Sequence, residues 1–377
     1  MRKSRSTVFF TVVVGAVMLL GALIMAAILF AAGAPQAVAV GVVLAALPFG
    51  PVIGCYLWLD RYEPEPKSLL LLGLGWGAFV ATTLALFLQA FDSFAFGSSE
   101  AVQSVLVAPV TEEAAKGLFI LLLLFFRRAE LDGILDGIVY AGMVGVGFAF
   151  MEDILYLSQA YIGTDGRTGG IESAVGLFVV RGIASPFAHP LFTAFTGIGI
   201  GIAVGSPKRW VRVLAPALGY LGAVCAHGAW NGSLLVDGGR DAAPAYLLVM
   251  VPIFAAMVGF AIWARRREGV LLATSLTDCA ARGFLEAREV PWLARIPARK
   301  ACRTYAEKIG GKPALEAMTH YQTEAIELGF LHHRFLRGTP PDRYEELGRD
   351  HVATMFALRG KLLWPQPAVA QPSGVLR

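Results

Sequence analysis

Charge is what this sequence has least of. Only 16% of its 377 residues are charged, 56% are hydrophobic and the mean hydropathy is +0.61. Soluble domains carry about a quarter charged residues, so the composition argues against a water-soluble enzyme and equally against disorder. No block of like charge occurs either. The net charge of +4 is spread over the ends of apolar runs, which is not the footprint of a nucleic-acid surface. Cysteine is scarce, with four in the chain. Cys55 and Cys225 lie in apolar runs, Cys279 and Cys302 in the C-terminal part, and none has metal-site or disulfide-framework spacing. The His-Glu-x-x-His helix of standard zinc proteases is missing, as is any internal repeat of the kind many carriers show.

What the sequence does have is length without charge. No charged residue stands between Arg5 and Asp60, Lys67 and Asp92, Arg212 and Asp237, or Asp241 and Arg265. A helix needs roughly 20 apolar residues to cross the hydrocarbon core. The pattern predicts an all-α, polytopic helical membrane protein with about eight spans, near Thr7–Ala32, Ala37–Leu59, Ser68–Phe91, Val102–Phe126, Leu135–Leu157, Val175–Val204, Val211–Val236 and Pro244–Ala264. Gly33-Ala34-Pro35-Gln36 predicts a turn between the first two, and Pro186 with Pro190 a break in the sixth. One set of flanks carries Arg2, Lys3, Arg5, Arg61, Lys67, Arg127, Arg128, Lys208, Arg209, Arg212 and Arg265 to Arg267, the other only Arg167 and Arg240. The positive-inside rule then places both termini in the cytoplasm. The N-terminal apolar run exceeds a signal-peptide core and reads as an uncleaved first span. Residues 1–267 form the membrane domain. Residues 268–377 mix charge with helical-period apolar positions and read as a small cytoplasmic helical domain, broken at Gly310-Gly311 and Pro340-Pro341, with a loose Pro- and Gln-rich end. Within it, His332-His333 reads as a solvated pair.

Ionisable groups inside a bilayer cost about 2.5–3.5 kcal/mol on insertion scales, which makes each one a functional candidate. Span four carries Thr111-Glu112-Glu113-Ala114-Ala115-Lys116, with Glu112 and Lys116 on one helical face. One lysine neutralises one carboxylate. The second needs a proton, a partner on another helix or a cation. Span five carries Phe148-x-x-x-Glu152-Asp153, where Asp153 reads as a solvated helix end. Span six carries His189 between its prolines, with Arg181 upstream as a counter-ion or an outward-reaching side chain. Span seven carries His227-x-x-x-Asn231 on one face.

Depth relates these residues. At 1.5 Å per residue, Glu112 lies roughly 15 Å below the outer end of its span, His227 roughly 14 Å, Glu152 roughly 8 Å and His189 roughly 20 Å. Independent structural polar groups have no reason to share a slab, so the four are expected to meet in one cavity. Two histidines with carboxylates, and no nucleophilic cysteine or serine arrangement, suit activation of water. Zinc takes three His, Glu or Asp ligands and keeps one position open, a count that His189, His227 and one glutamate meet. Metal-free hydrolysis by Glu112, with His and Asn as donors, fits the same residues. A proton- or ion-coupled transporter using the Glu/His/Lys cluster as a relay is the alternative from another class.

The set Glu112-Glu113-x-x-Lys116, Phe148-x-x-x-Glu152, His189 with Phe192-Thr193, and His227-x-x-x-Asn231 resembles the PrsW family of intramembrane proteases. Asp60-Arg61-Tyr62-Glu63-Pro64-Glu65-Pro66 is similar to that family's cytoplasmic loop, although its two Glu-Pro pairs also suit a plain rigid acidic connector. The resemblance covers roughly residues 50–240. It implies a helical membrane metalloprotease related to the CAAX prenyl endopeptidases, with a membrane-protein substrate such as a single-span anti-sigma factor; the short loops and Ala/Gly-rich composition separately suit a bacterial inner membrane. Carried over, Glu112 is the water-activating base and Glu113 its partner. Glu152, His189 and His227 are catalytic or zinc-binding, Asn231 orients or stabilises the oxyanion, and Lys116 holds the carboxylate pair. Asp153 departs from the family pattern, where Asn is expected.

Overall fold

The computed structural model describes residues 5–163, 168–235, 244 and 246–365. It is helical throughout, with no strand among the described residues, and it divides into two compact units, Met1–Arg265 and Arg266–Arg377. Arg167, Arg240 and the Pro- and Gln-rich end lie outside the described residues.

The first unit contains α1 (Arg5–Ala31), α2 (Pro35–Leu59), α3 (Lys67–Phe96), α4 (Ala108–Phe126), α5 (Ile134–Ile162), α6 (Ile171–Phe178), α7 (Ala188–Val204) and α8 (Arg209–Leu235). It also holds the part of α9 (Val251–Ala281) up to Arg265. Seven helices among the described residues are long and apolar enough to cross a membrane. The expected fourth span is α4 with the helical turns Glu100–Val102 and Gln103–Val107 before it. Its Glu112, Glu113 and Lys116 set it apart from the seven by composition, not by form.

Local chemistry explains the breaks. Gly33 has φ +64°, and Pro35 supplies the first residue of α2, where its missing N–H costs nothing. The Asp136 carboxylate caps the start of α5 by accepting the Asp132 and Gly133 N–H groups, each at 2.8 Å. Ser185 before Pro186 is pushed out of the helical region to φ −128°, separating the turn Val179–Ala184 from α7. Pro190 then sits in the first turn of α7, which has no N–H to lose. This arrangement places His189 at a helix start.

Helix α5 is the hub, buried along most of its length by α2, α3 and α7. Small residues allow the contact. A Cβ on Gly145 would lie 2.6 Å from Pro190 Cα, and one on Gly147 1.9 Å from the Leu74 carbonyl. Gly145 therefore sets how closely the His189-bearing turn approaches Phe148 and Glu152.

The loop 60–66 is packed, not a free connector. Asp60 accepts the Glu65 backbone N–H, and the Tyr140 hydroxyl of α5 donates to Glu65 Oε2 at 2.6 Å. Burial pushes the Asp60 carboxyl up to about 7 and the Glu65 carboxyl well above the usual range. A raised folded-state pKa means that the folded protein holds these protons more tightly. The stabilisation is full below the unfolded pKa of about 3.9 and is lost as pH rises through about 7 for Asp60. The melting midpoint in detergent should fall between about pH 5 and about pH 8, and Asp60→Asn should flatten part of that slope. An unchanged slope in the variant would remove Asp60 from the account.

The second unit contains α10 (Val290–Ala294), α11 (Ile296–Leu336) and α12 (Tyr344–Leu358), around a core that includes Leu272, Leu276, Leu293, Tyr321 and Met355. Gly311 (φ +66°) interrupts α11. His332 corrects the sequence expectation of a solvated pair. It is buried, its Nδ1 2.8 Å from the Tyr344 hydroxyl and its Nε2 2.6 Å from Asp278.

Candidate active site

Four helices of the first unit, α4, α5, α7 and α8, bring Glu112, Glu113, Lys116, Glu152, His189 and His227 to one buried junction. Lys116 is fully buried at its centre. Its ammonium donates to Glu113 Oε1 at 2.8 Å, to Glu112 Oε2 at 3.3 Å and to His189 Nδ1 at 3.0 Å, and it lies 3.8 Å from the centre of the Phe148 ring.

The two adjacent glutamates are held differently. Glu113 has no exposure and accepts from Lys116, from Thr193 Oγ1 at 2.9 Å and from His227 Nδ1 at 3.0 Å. Glu112 has only the longer contact to Lys116 and a 3.3 Å contact from Gln89 Nε2 to its Oε1. Its Oε2 faces His227 Nε2 at 3.8 Å and His189 Nδ1 at 4.0 Å. Of the two carboxylates that one lysine must serve, Glu112 is the one left undersupplied.

The partners fix the histidine tautomers. His227 Nδ1 faces a carboxylate and so carries the proton, which leaves the Nε2 lone pair directed toward Glu112. His189 Nε2 donates to Glu152 Oε2 at 2.7 Å, while its Nδ1 accepts from Lys116. Each imidazole is thus backed by a carboxylate, the support that metal-ligating histidines ordinarily have. Among the described residues, Glu112, His189 and His227 can each offer a ligand atom within 4.8 Å of the others. The sequence reading drew its carboxylate ligand from Glu152. In the structure that carboxylate backs His189 and pairs with Arg181, and Glu112 is the one facing both ring nitrogens. The ammonium of Lys116 already bonds Glu112, Glu113 and His189 Nδ1 at the junction.

Two other expectations change. Asp153 is buried and bonded to Arg181 Nε at 2.5 Å, because α5 continues to Ile162 and the residue is not at a helix end. Arg181 is the counter-ion of both Glu152 and Asp153, with its guanidinium over the Tyr156 ring. Asn231 lies one turn from His227 and donates to the Ser104 carbonyl at 2.9 Å, tying α8 to the turn before α4. Gln89 was not foreseen. Its signal in the sequence is a lone amide in a mostly apolar span. Thr193 stood inside a quoted motif without a stated partner.

Fold and junction together define a polytopic membrane protein built around a buried carboxylate–imidazole centre able to hold a cation. Comparison with known sequences narrows this class. The profile of the PrsW family intramembrane metalloproteases matches residues 65–257, just over half of the chain. The chain belongs to that family. Proteins named Protease PrsW are similar to it at 28% identity. The Geobacillus kaustophilus protein aligns over 173 residues, 44% of this chain and 71% of its own. The Bacillus subtilis protein aligns over 191 residues, 50% and 81% respectively. The Oceanobacillus iheyensis protein aligns over 178 residues, 47% and 74%. No solved structure matches the chain.

Proposed function

We propose that this chain hydrolyses a peptide bond in or beside the membrane-spanning segment of another membrane protein, with Glu112, His189 and His227 holding a zinc ion. The observation that carries the reading is the convergence of the His227 Nε2 lone pair, His189 Nδ1 and one loosely held carboxylate oxygen at a buried point, where the Lys116 ammonium now bonds His189 Nδ1 and would have to withdraw toward Glu113 for the ion to bind. One carboxylate and two imidazoles are a donor set that catalytic zinc takes with a position left open. When bound, the ion supplies Lewis-acid polarisation and a more acidic water.

The chain's own groups supply the rest. Glu112 directs Oε2 at the point the two rings face, and Gln89 steadies its other oxygen by donating to Oε1. Glu113 and Glu152 orient His227 and His189 by accepting their second N–H. Arg181 balances Glu152 and Asp153, and Lys116 balances Glu113. Asn231 acts as an orienting group through Ser104.

The family resemblance and the basic flanks support a finer reading: a multi-pass protein of the cell membrane, both termini cytoplasmic, with a single-span anti-sigma-factor-like substrate. The second unit, Arg266–Arg377, then serves as a cytoplasmic domain.

The test is cleavage in proteoliposomes of single-span reporters tagged at both ends. The expected result is two tagged fragments from the wild type, loss of cleavage after treatment with a zinc chelator, and recovery on adding zinc. Cleavage indifferent to the chelator would overturn the metal assignment. Intact reporters with a well-folded, zinc-loaded protein would overturn the protease reading.

A further inference from the structure

A protease inside a bilayer must receive its substrate from the bilayer. Between α2, α7 and α9 the first unit forms an apolar groove of about 480 Å³, with Leu59, Ile138, Leu191 and Phe254 among its walls. A second cavity of about 210 Å³ shares Phe187, Leu191 and Phe254 with it. That cavity in turn shares Ser185, Pro186, Ala188 and Trp230 with a polar neck of about 20 Å³ walled by Arg181, Asp153 and His189. Apolar space thus leads, wall by shared wall, to the histidine of the candidate centre.

The direction of this space identifies its occupant. It runs from Leu59 and Ile262, beside the Arg61 and Arg265 flank, to Ile183 and Tyr246 near the opposite helix ends. Tyr246 to Ile262 spans roughly 24 Å of helix, most of a hydrocarbon core of about 30 Å. A space of that length, apolar except at its neck, matches a membrane-spanning peptide segment better than a small polar ligand. Open space lies over Gly54, where an added Cβ would meet nothing within 4 Å. The neck lies at the break Ser185–Phe187, where the polar walls begin.

We propose that this groove seats the membrane-spanning segment of the substrate and holds it against the neck at His189. The proposal rests on the protease reading, and its test separates the two. Gly54→Phe and Val258→Trp narrow the groove from α2 and α9 without touching the polar junction. For a single-span reporter cut by the wild type, each should raise KM at least tenfold. A soluble peptide with the same scissile sequence and no membrane span should change less than twofold. In parallel, Cys55 lines the groove and is exposed, as is Cys225, while Cys279 and Cys302 are buried. In Glu112→Gln with Cys225→Ser, and with an added thiol oxidant, Cys55 should form a disulfide with reporter cysteines at one depth and on one helical face, and not with cysteines two or more turns away. Cross-links without wild-type cleavage would keep the groove and overturn the protease reading. Cleavage with no cross-link and no KM change would overturn the groove, leaving it a seat for lipid chains. Equal losses on both substrates would also overturn it.

Discussion

Glu112→Gln should abolish cleavage, slowing it by about 10²-fold or more because a neutral amide is a poor ligand for the ion, while the protein remains folded. The amide keeps the shape of the side chain and can still accept from Gln89. Lys116 keeps its shorter bond to Glu113, so no buried charge is stranded. Expression, membrane insertion and melting midpoint should therefore match the wild type. Full cleavage by this variant would remove Glu112 from the chemistry.

The neighbouring glutamate should behave in the opposite way. Glu113 is fully buried and holds three partners on three helices, Lys116 of α4, Thr193 of α7 and His227 of α8. Glu113→Ala leaves Lys116 with only the longer contact to Glu112 and strips the Thr193 hydroxyl and the His227 Nδ1–H of their acceptor, losses of buried pairing that together cost about 3–5 kcal/mol. The melting midpoint should drop by several degrees or more, and activity should fall with it. A Glu113→Ala protein as stable as the wild type would show that the pairing energy lies elsewhere.

Much of this arrangement could be read from residue types and spacing. Charge-free runs located the spans, Gly33 with Pro35 marked a turn, and Pro186 with Pro190 marked the break that puts His189 at a helix start. The common depth of Glu112, His189 and His227 anticipated their meeting, because helix rise converts sequence position directly into height in the membrane. Rotation and neighbours were not legible in this way. Whether Glu112 or Glu152 faces both ring nitrogens depends on how α4 and α5 are turned about their axes, which the glycine contacts Gly145–Pro190 and Gly147–Leu74 set. Asp153 looked like a helix end because its partner Arg181 lies 28 residues away on another element. His332 looked solvated because its partners, Asp278 and Tyr344, come from separate helices. Long-range pairing of this kind leaves no local trace in sequence.

The central claim is that Glu112, His189 and His227 form one cation site, and elemental mass spectrometry of the detergent-purified protein tests it most directly. The wild type should carry near-stoichiometric zinc, and His189→Ala with His227→Ala should carry none while remaining folded. A well-folded wild type without metal, or zinc retained by the double variant, would contradict the account.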